Sequence, residues 1–127
     1  MIEQLKKVEE FQRVFGIENN YNPCLIGEKG YELRYKLGLE ELDEYLEACK
    51  KEDKVAILDA LTDQLYILYG TILRHGMQDI IIKAFDEVNR SNLSKLDENG
   101  QRIVREDGKI LKSAKYRKPE LKQFINE

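Results

Sequence analysis

The chain has 127 residues and a mass of 14.9 kDa, which is enough for one domain with a core but not for a second domain. Its net charge of −3, with 35% charged residues, gives no overall basic surface that would indicate a nucleic-acid partner. The first residues include charged side chains, and no uncharged run reaches the roughly 20 residues of a membrane span, so we expect no membrane partner. Two cysteines are too few for a disulfide framework and fit a reducing compartment. We therefore expect a soluble cytoplasmic protein.

The first two predicted helices differ in their apolar patterns. The first covers residues 2 to 15, with Leu5, Val8, Phe11 (or Gln12) and Phe15 at helical spacing and Gly16 as its stop. The second covers residues 30 to 50. One of its stripes is apolar and typical of a core-facing surface: Tyr35, Leu39, Leu42, Leu46 and Cys49. The other begins apolar, turns acidic and ends with a small residue: Leu33, Leu37, Glu41, Glu44 and Ala48.

The remaining elements are two helices and a hairpin. The third helix covers residues 53 to 75, with Asp53 as N-cap and Gly76 as its stop. Its apolar residues lie on all sides, which indicates a central helix or an oligomer interface. A fourth helix covers residues 77 to 93, and two turn dipeptides predict a small β-hairpin over residues 101 to 112. We predict a single all-α domain over residues 1 to 127, a four-helix bundle with a small C-terminal β-hairpin.

Carboxylates interrupt both central helices. Glu41 and Glu44 share a face of the second helix and Glu40 projects beside them, while Asp59 and Asp63 share a face of the third. The short connection between the helices favours antiparallel packing, which would bring the two groups together. Oxygen-only ligands suit Mg²⁺ or Mn²⁺. The alternative is that the acidic run is an ordinary solvated face.

These residues resemble a known family. Glu40-Glu41-x-x-Glu44 followed by Asp63 is similar to the signature of the all-α nucleotide pyrophosphohydrolases, which include MazG, dimeric dUTPases, dCTPases and phosphoribosyl-ATP pyrophosphohydrolase. That signature is E-x-x-E on one helix and E-x-x-D on the next. The segments 11–16, 59–66, 90–95 and 107–109 also resemble the family. The chain departs from it at Ala60, which stands where the E of E-x-x-D is expected, and Asp59 is the residue that could substitute.

The resemblance implies a MazG-like fold and a set of site residues. The metal ligands would be Glu41, Glu44 and Asp63, joined by Asp59, and they would bind Mg²⁺, with Mn²⁺ as an alternative. Glu40 would be a second-metal ligand or the base that orients water. The reaction would be hydrolysis of a (deoxy)nucleoside triphosphate between its α- and β-phosphates.

Substrate contacts are expected from the fourth helix. Asn89, Asn92 and Lys95 could reach the sugar or the phosphates of the substrate. Lys95 could equally complement the dipole at the end of that helix.

The resemblance, together with a third helix that is apolar on all sides, predicts a homodimer or a dimer of dimers. Two rival hypotheses stay open. The chain could be a catalytically silent nucleotide sensor of the same fold, for which Ala60 is the motive, or a structural protein whose acidic face docks a basic partner.

Overall fold

A computed structural model describes residues 1 to 125. It contains four helices: α1 (Ile2–Val14), α2 (Gly27–Lys50), α3 (Lys54–Arg74) and α4 (Ile81–Leu93). Strands β1 (Ile103–Val104) and β2 (Ile110–Leu111) pair antiparallel and form the predicted hairpin, and a 3₁₀ turn covers Leu121–Phe124. The mostly helical prediction is confirmed. Helix α2 begins three residues earlier than predicted, and α4 begins at Ile81 because residues 78 to 80 form a turn.

The described residues divide into two compact units, Met1–Asp79 and a second unit that begins at Ile80. In the first unit α2 and α3 form a closely packed pair, and α1 packs on α3. The pair is antiparallel, because Arg34 near the start of α2 donates to the Thr71 hydroxyl near the end of α3 at 2.9 Å. Asp53 caps α3 as predicted, since its carboxylate accepts the backbone N–H groups of Val55 and Ala56.

The core of the first unit includes two long polar side chains. Gln12 of α1 is 2% exposed and donates to the side-chain oxygen of Asn19 at 2.8 Å and to the Gly70 carbonyl. Arg34 is 8% exposed and donates to the Ile67 carbonyl at 2.7 Å. Both residues converge on Gly70, where a side chain would collide with them. Because each buried polar group has a partner, this crossing fixes the positions of three helices.

The structure corrects the sequence-based choice of core faces. The acidic stripe of α2 is the one that packs against α3, with Ala48 buried and Glu41 half-buried. The apolar stripe Tyr35, Leu39, Leu42 and Leu46 is exposed instead. On α1 the buried residues are Leu5, Val8 and Gln12, and Phe15 is 68% exposed. The predicted α1 stripe is therefore correct at Leu5, Val8 and the alternative Gln12 and wrong at Phe15. On α2, apolar periodicity selected the wrong face because a large apolar surface remains uncovered in one copy of the chain.

Helix α3 has the length and mean hydropathy of a membrane-crossing helix, although Asp59 and Asp63 lie within it. One such helix is weak evidence, since core helices of non-membrane proteins pass the same test. Here α3 packs against both α1 and α2. Its outer surface is nevertheless apolar and exposed at Leu58, Leu61, Leu65 and Leu68.

The second unit consists of α4, the hairpin and the tail after it, and serines attach the tail to α4. Ser91, which is buried, donates its hydroxyl to the Arg117 carbonyl at 2.8 Å, and the Ser94 hydroxyl accepts the Arg117 backbone N–H at 2.9 Å. Glu87 accepts from Arg90 at 2.7 Å and from the backbone N–H of Glu120 at 2.6 Å. The two serines of the segment 90–95 thus have a structural role, because they hold the tail against α4.

Replacement of Gly76 by alanine is expected to destabilise the first unit by about 2 to 3 kcal/mol, measured as the free energy of unfolding in urea. Gly76 ends α3 with φ +64°, and an added Cβ would collide with the backbone of Asn22. Gly38→Ala is the matched control, because nothing lies within 4 Å of the added Cβ on α2. That variant should be stabilised by about 1 kcal/mol. Equal stability of the two variants would contradict the prediction.

Candidate metal centre

Three carboxylates meet where α2 and α3 pack against each other. Glu41 and Glu44 come from successive turns of α2, and Asp63 comes from the facing side of α3. One oxygen atom from each carboxylate lies within 4.8 Å of the other two. Glu41 and Asp63 are half-buried, and Glu44 is exposed. The antiparallel helix pair thus brings together three of the four predicted metal ligands.

The electrostatics of this group are unfavourable when all its members are ionised. Burial, followed by the nearby Glu44, Asp63 and Asp59 carboxylates, raises the pKa of Glu41 to about 7. Burial also raises the pKa of Asp63, with Asp59 and Glu44 adding to the effect. Because like charges held close together resist ionisation, a bound cation would relieve this repulsion.

The donor set fits a hard divalent cation. Glu41 Oε2 is buried and has no hydrogen-bond partner among the described residues. A buried carboxylate oxygen without a partner is costly, so an ion at this position would satisfy it. All three groups are carboxylates, the donor type that Mg²⁺ and Mn²⁺ prefer.

Asp59 lies near these three carboxylates but is not one of the group whose oxygen atoms lie within 4.8 Å of one another. Its charge contributes to the raised pKa values of both Glu41 and Asp63, so it belongs to the same electrostatic cluster. Asp59 is exposed and lines a cleft of about 360 Å³ together with Glu44 and Lys51. Ala60, beside it, is only 2% exposed and lines the same cleft. Ala60 is the vacant position of the family signature if that signature ends at Asp63.

Glu40 is exposed on α2, one turn before Glu44 and on the same side of the helix. It is not among the three carboxylates that meet most closely. Its role as a base or second-metal ligand stays a prediction.

The predicted substrate contacts lie in the second unit. Asn89 and Asn92 are exposed on α4, and Lys95 is half-buried just beyond the helix end. The backbone N–H of Lys95 donates to the Asn92 carbonyl at 3.2 Å, which places Lys95 in the turn that closes the helix. Their predicted role in binding substrate stays a prediction.

Sequence reasoning overlooked Lys51, a basic residue of the acidic cleft. Lys51 is the C-cap of α2 and lies two turns after Glu44 on the same side of the helix. The spacing of seven residues, two helical turns, could have predicted that Lys51 lies on the same side of the helix as Glu44. A cation in this position can attract the phosphate groups of a ligand toward the carboxylates.

Metal binding is expected to tighten as pH rises from about 6 to about 8, because the proton held by Glu41 must leave before the carboxylate can bind a cation. Glu41 has a raised pKa of about 7, so its contribution to stability is fully present below its ordinary pKa of 4.5 and is lost as pH rises through about 7. Thermal unfolding of the metal-free protein should therefore show a stability that decreases from about pH 5 to about pH 7 and then levels off. Mn²⁺ should remove most of the decrease, and an identical decrease with and without Mn²⁺ would contradict the assignment.

Comparison with known proteins agrees with this geometry. The sequence profile of the family described as phosphoribosyl-ATP pyrophosphohydrolase (PRA-PH) matches residues 8–92, which is more than half of the chain. The matched segment contains both central helices and all the clustered carboxylates. No curated protein gave a match. The chain therefore belongs to the phosphoribosyl-ATP pyrophosphohydrolase family, within the MazG-like superfamily of all-α nucleoside triphosphate pyrophosphohydrolases.

Proposed function

We propose that this enzyme hydrolyses a nucleoside or deoxynucleoside triphosphate between the α- and β-phosphates, with Mg²⁺ as its cofactor. Its family makes it a pyrophosphohydrolase, a hydrolase of phosphoanhydride bonds that acts on a nucleotide-like substrate. The proposal adds the triphosphate, the bond that is cleaved and the metal. The observation that supports it most is the meeting of Glu41, Glu44 and Asp63 within 4.8 Å.

The roles of the residues follow from charge and position. Glu41, Glu44 and Asp63 would hold Mg²⁺, with Asp59 next to them, and Lys51 would attract the phosphates at the edge of the same cleft. Bound Mg²⁺ supplies charge that stabilises the negative charge developing on the phosphates.

In the proposed reaction the oxygen of a water molecule forms a bond to the α-phosphorus, and the bond from that phosphorus to the bridging oxygen breaks. Pyrophosphate leaves with the bridging oxygen, and the nucleoside monophosphate remains. Glu40 is the proposed acceptor of the proton that the water loses, because it is an exposed carboxylate one turn from Glu44.

A second candidate is a nucleotide sensor of the same fold with weak or absent catalysis. Ala60 favours it, since a buried methyl group replaces one carboxylate of the family signature. A site with fewer ligands could still hold a metal–nucleotide complex without positioning the water for attack.

One assay separates these candidates. The protein is incubated with Mg²⁺ and a panel of ribo- and deoxynucleoside triphosphates that includes phosphoribosyl-ATP, and released pyrophosphate is measured. Asp63→Ala should abolish release, whereas Asp79→Ala, at an exposed aspartate outside the helices, should not. Metal-dependent nucleotide binding without turnover would favour the sensor. Turnover that Asp63→Ala leaves unchanged would refute the proposed site.

We also propose that the enzyme is a homo-oligomer in which the exposed apolar flank of α2 and α3 forms the interface. Helical spacing puts Tyr35 and Leu42 of α2 on one flank with Leu61 and Leu65 of α3, and an apolar groove of about 680 Å³ runs between the two helices there. The carboxylates lie on the other flank. A second copy would therefore bury the apolar surface without covering the metal centre. Leu61→Glu should lower the mass measured by light scattering to that of one chain.

Membrane association is the outcome that would contradict this second proposal. If the apolar flank is a lipid-binding surface, the wild type should float with phospholipid vesicles and show the mass of one chain without them. The free thiols of Cys24 and Cys49 support the cytoplasmic location that we propose.

A further inference from the structure

We infer that Phe11, Phe15 and Tyr66 form a platform on which the nucleobase of the substrate stacks. This inference rests on the proposed function, since it assigns the base of that substrate to a place next to the metal centre. The three rings are called the aromatic platform below. They come from the end of α1 and the middle of α3 in the first unit.

The rings contact one another and remain open to solvent. Phe11 and Phe15 have ring centroids 4.6 Å apart, and Phe11 meets Tyr66 edge to face at 5.4 Å. Phe15 is 68% exposed, Phe11 39% and Tyr66 37%. Aromatic side chains that only complete a core lose most of their exposure, whereas these keep a ring surface free for another planar group.

The platform follows the carboxylates along the same side of α3. Asp59, Asp63 and Tyr66 are spaced by four and three residues, so their side chains project in one direction. Tyr66 lies about 5 Å further along the helix axis than Asp63. A nucleotide has its base separated from its phosphates by one sugar. Phosphates at the metal centre would therefore bring the base to the neighbouring turn, where the rings are.

A second copy of the chain is a less suitable occupant for these rings. The large exposed apolar surface of α2 and α3 lies on the opposite flank of the helix pair, around Tyr35 and Leu65. On the face of α3 that carries Tyr66, the two preceding turns carry the carboxylates Asp63 and Asp59 and no leucine. Exposed rings next to a charged surface match the two ends of a nucleotide better than they match another apolar helix.

The chemistry of stacking also predicts the specificity. Every nucleobase has a π-face, so a platform of aromatic rings binds all of them and selects little between them. We expect the enzyme to accept several bases, with Tyr66 contributing through its ring.

The test compares ligands with and without a base. Binding of α,β-methylene analogues of the nucleoside triphosphates, which cannot be cleaved at the proposed bond, and of inorganic triphosphate is measured by calorimetry in the presence of Mg²⁺. Phe15→Leu should weaken the binding of every nucleotide analogue roughly 5- to 100-fold and leave triphosphate binding unchanged. Tyr21→Leu is the matched control, because Tyr21 is a similarly exposed aromatic residue (60%) in the same unit that makes no ring contact among the described residues.

The possible results distinguish the aromatic platform from a contact between copies and from the proposed hydrolysis. Equal loss for nucleotide and triphosphate, no loss for either, or a wild type that binds both ligands equally would overturn the platform. A change of oligomeric mass in Phe15→Leu without a change in nucleotide binding would show a contact between copies instead. Pyrophosphate release by the wild type with an unaffected Phe15→Leu would refute the platform alone. Base-dependent binding without any turnover would preserve the platform and refute the proposed hydrolysis.

Discussion

Replacement of Glu41 by glutamine is expected to lower pyrophosphate release by on the order of 100-fold or more and to weaken Mn²⁺ binding by at least about 10-fold. Glu41 is half-buried, and it is the member of the carboxylate group whose Oε2 is buried without a hydrogen-bond partner among the described residues. The glutamine amide keeps the size of the side chain but removes the charge. The loss therefore reports on metal binding rather than on packing, and it can be measured by kinetics and by Mn²⁺ titration.

The same substitution should stabilise the metal-free protein above about pH 7, where wild-type Glu41 becomes ionised. Thermal unfolding in a chelator should show a higher midpoint for Glu41→Gln than for the wild type at about pH 8, and a smaller difference at about pH 6. Glu32→Gln, at an exposed position of the same helix, serves as control and should change neither property. A variant that loses metal affinity and metal-free stability together would indicate that Glu41 has a structural role.

The helices and the shared face of the α2 carboxylates could be predicted from sequence because both depend on local spacing. Asp53 and Gly76 mark the ends of α3 through capping and a left-handed turn. Glu41 and Glu44 share a face because they are three residues apart, whatever the rest of the chain does. Their meeting with Asp63 followed from one further step, the antiparallel packing of two helices joined by a short connection.

The core faces could not be predicted in the same way. The α2 stripe that packs on α3 contains a buried arginine and a half-buried glutamate, whereas the stripe richest in leucine is exposed. Arg34 can be buried because Thr71 and the Ile67 carbonyl accept its hydrogen bonds, and those partners are more than 30 residues away. Hydrogen bonds between residues so far apart in sequence leave no periodic pattern along the chain. Apolar periodicity therefore selected the exposed stripe, which we propose as the oligomer interface, instead of the stripe that packs within one chain.

Two aspartates of α3, Asp59 and Asp63, could be the last residue of the family signature. If E-x-x-D ended at Asp59, the missing carboxylate would fall on Ala56, and if it ended at Asp63, it would fall on Ala60. Asp63 is the aspartate whose oxygen joins Glu41 and Glu44. The spacing of the side chains therefore favours Asp63 as the last residue of the signature and Ala60 as the vacant position.

Ala60→Glu is accordingly expected to destabilise the metal-free protein by about 3 to 5 kcal/mol and to be rescued by Mn²⁺. Ala60 is 2% exposed beside Asp59 and Glu44, so the new carboxylate would enter a packed site that already resists ionisation. Mn²⁺ should raise the unfolding midpoint of this variant more than that of the wild type, because the additional ligand restores the family signature. Ala60→Gln has nearly the same size without the charge and should stay destabilised when metal is added. Ala56→Glu tests the other register, and rescue of Ala56→Glu rather than Ala60→Glu would show that the signature ends at Asp59.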